Sequence, residues 1–319
     1  MPPRRIPTYA ELVESGDPRG SAWRVFGPDD EAGSLNFMTP DRVVAATRLV
    51  TRGVTFSLDY AINDFPSSSL RKNARHVIFA RHRDSRDDYL DRFYLQGTSQ
   101  IDGLRHRRHA VHGFYNGFRS DEIRVGWPRL GIQHWANTGI VGRGVLADVD
   151  RHLRRTGVEL DHERGESFSV QLIDETVAAQ GVELRGGDVL LIRTGWAAHY
   201  LTRAARGGVP SALASPGIVQ SRETIAWLWN HQFTLIGSDN AAVEAVPVAN
   251  RAPFDTDTDH GLMHQEMIAL LGLALGERLR LDELASDCSR DGVYEFLFVS
   301  KPLTLVGGVG STANALAIK

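Results

Sequence analysis

Four side chains able to move protons or hold a ligand fall in one stretch, Leu95 to His106, written L-Q-G-T-S-Q-I-D-G-L-R-H. Gln96, Gln100, Asp102 and His106 are spaced by four, two and four residues. In an extended chain, even spacings put side chains on one face. One side of a short strand and the turn after it would then present two amides, a carboxylate and an imidazole. Asp102 and His106 are the natural acid–base or metal-binding pair. Gly97 and Gly103 allow close approach of backbone or ligand. A polar loop without chemistry is the alternative that spacing alone leaves open.

A second pair lies downstream. His264 opens an apolar segment read as a helix over 262–275, three residues before Met267 and four before Ile268. It therefore shares the face those residues bury and needs a partner there. Glu277 can be that partner if the fold brings the two together. The alternative is a satisfied core histidine and a solvated glutamate. The run Arg105-His106-Arg107-Arg108-His109 is basic. Beside Asp102 and His106 it suits an anionic small molecule better than nucleic acid, because guanidinium forks bind carboxylates and no aromatic ladder accompanies it; a solvated basic turn is the alternative. Asp239, Asn240 and Glu244 read as turn and cap residues or as lining of a cleft. His134-Trp135 reads as packing, and Thr98 and Ser99 read as turn residues rather than nucleophiles. No dinucleotide loop, Walker loop, H-E-x-x-H, C-x-x-C or nucleophile elbow occurs.

The elements that must position these groups alternate between helix and strand. Thr39-Pro40 caps and opens a helix ended by Gly53. Val54–Tyr60 alternates as a half-buried strand does. Residues 61–90 read as surface loops. Ile140–Val149, Val189–Gly195 and Phe233–Ile236 read as buried strands, and Val189–Gly195 is apolar enough to need cover on both faces. Helices are expected over 169–180 and from Ser221 to Trp229, with a final strand pair at 293–299 and 303–306. Residues 1–35 read as an arm. The pattern predicts one α/β domain, 1–319, with a mixed sheet.

Composition narrows the function class. At 319 residues, 42% hydrophobic and 24% charged, the chain is ordinary for a globular protein. A net charge of −3 offers no general attraction to nucleic acid or an acidic membrane. The single cysteine, Cys288, excludes an intrachain disulfide framework and fits a reducing compartment. No apolar signal segment or membrane-length run is present, so a cytoplasmic protein is expected.

Several blocks resemble one known family in order along most of the chain. They are W-R-V-F-G-P-D-D-E-A-G-S-L-N-F-M-T-P (23–40), G-I-V-G-R-G-V-L-A-D-V (139–149), G-D-V-L-L-I-R-T-G-W (187–196) and G-S-D-N-A-A-V-E-A-V-P (237–247). They continue through L-G-E-R-L-R-L-D-E-L-A-S-D-C (275–288), G-V-Y-E-F-L-F-V (292–299) and G-G-V-G-S (307–311). The sequence is similar to the putative cyclase family, which includes bacterial kynurenine formamidase and isatin hydrolase. The resemblance implies a compact α/β domain with a barrel-like sheet, assembled as a dimer or tetramer. The family signature is H-x-G-T-H-x-D-x-x-x-H. Two histidines and the aspartate bind a divalent metal, the last histidine is a base, and a later histidine and glutamate complete the site.

By this resemblance Asp102, His106, His264 and Glu277 are catalytic, while Gln96 and Gln100 stand where the leading histidines would. Amide oxygens are hard, neutral and weak donors compared with imidazole, and zinc favours nitrogen and sulfur. A metal held by Gln96, Gln100 and Asp102 would be manganese or magnesium rather than zinc, or none is held. Gln96, Gln100 and Arg105 are the expected substrate contacts. The expected activity is that of an enzyme on a small amide, lactam or lactone: arylformamidase-like hydrolysis with metal, or cyclisation or elimination without it. An inactive family member that binds a small molecule or partner is the alternative.

Overall fold

Val189–Arg193 carries no polar side chain before its last residue, and the fold covers both of its faces. The structure is a computed structural model and describes residues 5–68, 71–208, 213–249, 251, 253–256 and 260–319. In chain order the strands are β1 (Thr55–Ser57), β2 (Arg75–His82), β3 (Ser85–Asp91), β4 (Gln100–Asp102), β5 (Ile140–Asp148), β6 (Ser167–Phe168), β7 (Val189–Arg193), β8 (Gly217–Ile218), β9 (Leu235–Ser238), β10 (Ala274–Glu277), β11 (Glu295–Ser300), β12 (Gly310–Thr312) and β13 (Ala315–Ile318). The helices are α1 (Tyr9–Ser15), α2 (Pro40–Thr47), α3 (Gln133–Thr138), α4 (Val149–Arg155), α5 (Val170–Ala179), α6 (Trp196–Ala205), α7 (Arg222–Asn230) and α8 (Asp282–Asp291).

Nine strands form one curled mixed sheet in the order β1-β13-β11-β5-β7-β9-β10-β4-β12. The central strands β5, β7, β9 and β10 are parallel, and antiparallel strands extend the sheet on both sides. Alternation along the parallel strands divides the core. Val145, Leu190, Ile192, Ile236 and Leu275 pack with residues of α5 and α7. Leu146, Leu191, Leu235 and Ala274 pack with Trp135, Phe296 and α8. Gly144 faces Phe296 across the β5–β11 ladder, where a Cβ would lie 2.1 Å from the ring. The site residues sit where β9 and β10 end and β4 crosses β10, the carboxyl side of the parallel strands.

Several expectations need correction. Within the expected arm, α1 is a helix with a capping box from Thr8 and Glu11, and its Tyr9 and Leu12 are buried. The expected loops at 61–90 contain the β2–β3 hairpin. Residues 262–275 are not one α-helix: a π-helical segment, Gln265–Leu270, is followed directly by β10. The expected strand at 303–306 is loop, and β12 and β13 carry the pairing instead. Helix α2 ends at Thr47, well before Gly53. Ser221 does cap α7, accepting from the Thr224 amide at 3.0 Å. No helix among the described residues is long and apolar enough to cross a membrane.

Candidate active site

The central stretch is not one extended segment. Leu95–Gly97 is a 3-10 turn, Gln100–Asp102 is β4, and His106 follows a further turn. Gln100 and Asp102 share a face of β4 as positions i and i+2. Register sets their neighbours: Gln100 pairs with Glu277 of β10, and Asp102 pairs with Leu275 on one side and Gly310 on the other. Glu277 therefore stands on the same face as Gln100, and Gln100 Nε2 donates to Glu277 Oε2 at 2.5 Å. The Gln96 carboxamide lies against Gly310, where a Cβ would come within 2.9 Å of Gln96 Nε2. Gln96 thus borders the cluster, and Gln100 belongs to it.

His264 enters from the residue before the π-helical segment. Its Nε2 lies 3.0 Å from Glu277 Oε1, and its Nδ1 lies 2.5 Å from Glu244 Oε1. Glu244 is fully buried and also accepts from the Met263 amide at 2.8 Å, the His264 amide at 3.2 Å and Gln220 Nε2 at 3.0 Å. It fixes both the backbone and the ring of His264. Sequence reasoning left Glu244 between cap and cleft residue; its actual role is to hold the histidine. Asp239 is a cap: it accepts from Thr194 and from the Gly195 amide ahead of α6. Asn240 is a turn residue bonded to the Val243 amide.

His106 completes the group. Its Nδ1 is 3.4 Å from Asp102 Oδ1, and its ring centroid is 6.5 Å from that of His264. Asp102 is wholly buried, whereas His106 lines a cleft of about 530 Å³ together with His264 and Glu277. Electrostatics follow from burial. Burial, reinforced by the charge of Glu277, pushes the Asp102 carboxyl up to about 8. Burial and the nearby His264 charge hold the His106 imidazole down at about 3, so it is neutral with a lone pair to accept a proton. For His264 burial acts downward, but the bonds to Glu244 and Glu277 outweigh it and lift the ring to about 10. Burial acts upward on Glu277, and the His264 hydrogen bond together with the charges of His264, His106 and Arg278 more than offsets it, leaving this carboxyl below its usual range.

The donor set fits a divalent cation. One ligating atom each from Asp102, His264 and Glu277 lies within 4.8 Å of the others. Both Asp102 oxygens and Gln100 Oε1 are buried without a hydrogen-bond donor. Unsatisfied buried acceptors are costly, and a hard cation satisfies several at once. The set is mainly oxygen with one imidazole, which suits manganese or magnesium better than zinc. The expected ligand set shifts accordingly: His264 and Glu277 join Asp102 and Gln100, while Gln96 lies to one side.

Arg105 is a correction. Its guanidinium donates to four backbone carbonyls: Arg129 at 2.5 Å, Trp127 at 2.6 Å, Gly307 at 2.7 Å and Arg124 at 3.2 Å. It pins two loop segments, 124–129 and the turn at Gly307, and is not among the cleft-lining residues, so it is not placed to take a substrate carboxylate. Arg71, Lys72, Arg107 and Arg278 line the cleft instead. Ser99 is structural, bridging the Tyr60 amide and the Arg278 carbonyl. Trp135 packs in the core, and His134 pairs with Glu31 at 2.9 Å.

Comparison with known proteins settles the family. The family model described as Putative cyclase matches residues 44–245. The chain belongs to this cyclase family. A crystal structure described as a novel cyclase is 32% identical, with a TM-score of 0.80, over 94% of this chain and 99% of that one. An isatin hydrolase bound to the product analogue thioisatinate superposes with a TM-score of 0.57 at 16% identity, over 88% and 98% of the two chains. The isatin hydrolase A of Labrenzia aggregata gives 0.54 at 17% identity, over 87% and 97%. At these identities the hydrolases share the cyclase-family fold. Among curated proteins no match was found.

Proposed function

We propose that this cyclase-family protein is an enzyme that hydrolyses a small cyclic or acylated substrate, an amide, lactam or lactone in the arylformamidase-like manner. The observation that carries the reading is the single cluster of His106, Asp102, His264 and Glu277, with the neutral His106 imidazole lining the cleft. A chain kept only for binding has no use for three buried ionisable groups clustered beside a cleft histidine.

Each residue has a role in this reading. His106 accepts a proton from the attacking water, using the nitrogen turned away from Asp102. Asp102 stands 3.4 Å from Nδ1 of that ring and supplies a carboxylate beside it. His106 then returns that proton to the leaving group, while His264 and Glu277, paired at 3.0 Å, fix the charge beside it. Glu244 keeps His264 in register and fixes which nitrogen carries hydrogen. Asp102, His264, Glu277 and Gln100 would hold a divalent cation, which when bound supplies Lewis acidity at the substrate carbonyl. If these residues work without a cation, the same proton-transfer groups suit an intramolecular cyclisation or elimination. In either case a cytoplasmic homo-oligomer is the form proposed.

The test uses isatin, formanilide and phthalide as probe substrates. His106→Ala should reduce turnover of whichever probe is cleaved by at least a hundredfold. Near-normal rates in that variant would end the assignment.

A further inference from the structure

The cleft that holds His106 is unevenly charged. Among its described lining residues Arg71, Lys72, Arg107 and Arg278 carry positive charge, and Glu277 is the one carboxylate. Glu277 is already engaged by Gln100 and His264. Arg71 and Arg278 make no ion pair among the described residues; their guanidiniums donate to backbone carbonyl oxygens. Arg71 donates to the Gln96 carbonyl at 2.6 Å and Arg278 to the Gly97 carbonyl at 3.2 Å, so one turn tethers both guanidiniums.

Two donors in this wall lack a partner. Arg278 Nε and the Thr98 hydroxyl are both buried and unbonded. Thr98 and Arg278 both line the cleft. The Arg278 backbone is held on both sides, its amide on the Asn240 carbonyl at 2.9 Å and its carbonyl by Ser99 at 2.6 Å. Its φ of 54° lies in the left-handed region that residues with a side chain seldom adopt. The surroundings are aromatic. Arg278 lies 5.0 Å from the Phe65 ring centroid, Phe65 stacks on Tyr200 at 6.2 Å, and Phe93 and Tyr94 line the same space. A pair of guanidiniums without counter-ions, with two unbonded donors and aromatic walls, has the complement of a planar aromatic anion.

We infer that Arg278, with Arg71 and Thr98, seats a carboxylate carried by an aromatic substrate, and so sets specificity at the catalytic cleft. This rests on the hydrolase reading for its location, and the anion seat is distinct from the Asp102–His264–Glu277 cluster. Sequence reasoning sought this function in Arg105, which the fold spends on backbone carbonyls.

The test is binding without turnover. 4-Fluorobenzoate and its neutral counterpart 4-fluorobenzamide are titrated by fluorine NMR into the protein as purified and after chelation. The benzoate should bind at least tenfold more tightly than the amide in both preparations. Arg278→Gln and Arg71→Gln should each remove most of that preference while leaving the benzamide within threefold. Arg278→Lys should retain part of it, and the melting temperature of each variant, read alongside, should stay within a few degrees of the parent. Equal affinity for the two probes would overturn the inference. So would a benzoate preference that vanishes on chelation but survives both arginine variants, since the carboxylate would then sit on the cation. Failure here would leave the His106 test untouched, because that test reads cleavage and this one reads binding.

Discussion

Glu244→Gln removes one charge and almost no volume, and it should disable the site without unfolding the protein. Glu244 accepts from two amides, one glutamine side chain and the His264 ring. A glutamine has one accepting oxygen and one donating nitrogen. Whichever way it turns, its NH₂ group faces donors: Met263 N–H and Gln220 on one side, or His264 N–H on the other. A buried donor left without an acceptor costs about 1–3 kcal/mol, so the melting temperature should fall by several degrees. The catalytic loss should be larger. The rise of His264 from 6.5 to about 10 corresponds to roughly 5 kcal/mol of preference for the charged ring. Glu244 and Glu277 together overcome burial, which still acts downward, so losing Glu244 should return the ring more than halfway. An amide NH₂ set against Nδ1 would also strip the proton from that nitrogen, leaving a neutral ring protonated only at Nε2 toward Glu277. Turnover should drop at least a hundredfold with KM changed less than threefold, because Glu244 does not line the cleft. Nitrogen-15 NMR of the histidine rings reads the tautomer directly. Turnover within threefold of the parent, with the His264 resonances unmoved, would refute this role.

Other outcomes follow from the same structure. Elemental analysis should find manganese or magnesium rather than stoichiometric zinc, and Gln100→His should raise zinc affinity at least tenfold by supplying an imidazole beside Asp102. Stoichiometric zinc in the parent would contradict the reading of the glutamines. Asp287 is held below the usual carboxylate range by Arg52 first, then by Arg290 and Lys319. A depressed acid stabilises the fold above its unfolded value and loses that contribution as pH falls through the folded value. Asp287→Asn should therefore destabilise at neutral pH and matter less below about pH 3; an equal effect at both, followed by thermal melts, would count against it. The β2–β3 hairpin exposes Ile78, Phe79, Tyr89 and Leu90, and an isolated two-stranded hairpin is marginal in water. Sedimentation should show a dimer or tetramer, and Ile78→Asp with Phe79→Asp should shift it toward monomer; a monomeric parent would remove this use of the hairpin.

Much of the fold was legible because the parallel strands are covered on both faces, and continuous apolar runs such as Val189–Ile192 are what such strands require. Caps were legible for the same reason: Ser221 carries its own local signal. The hairpin was not, since nearly all its residues face solvent and no alternation in burial shapes them. The π-helical segment was read as α because apolar density over 262–275 does not distinguish a short helix followed by a strand from one long helix. In the site, spacing picked out Gln100, Asp102 and His106, and family resemblance picked out His264 and Glu277. Glu244 leaves no spacing signal, because its partners are amides and a ring brought in from about twenty residues away. Arg105 and Arg278 are equivalent as residue types; only tertiary structure shows that carbonyls consume the first and leave part of the second unbonded.

The central claim is that His106 and His264 work as one unit on one substrate. Its most direct test is the kinetic cycle of His106→Ala, His264→Ala and the double variant on the probe that the parent cleaves best. Residues acting as a unit are strongly non-additive, so all three variants should fall to within threefold of one another. Two losses that multiply in the double variant, or a His106→Ala enzyme as fast as the parent, would contradict it.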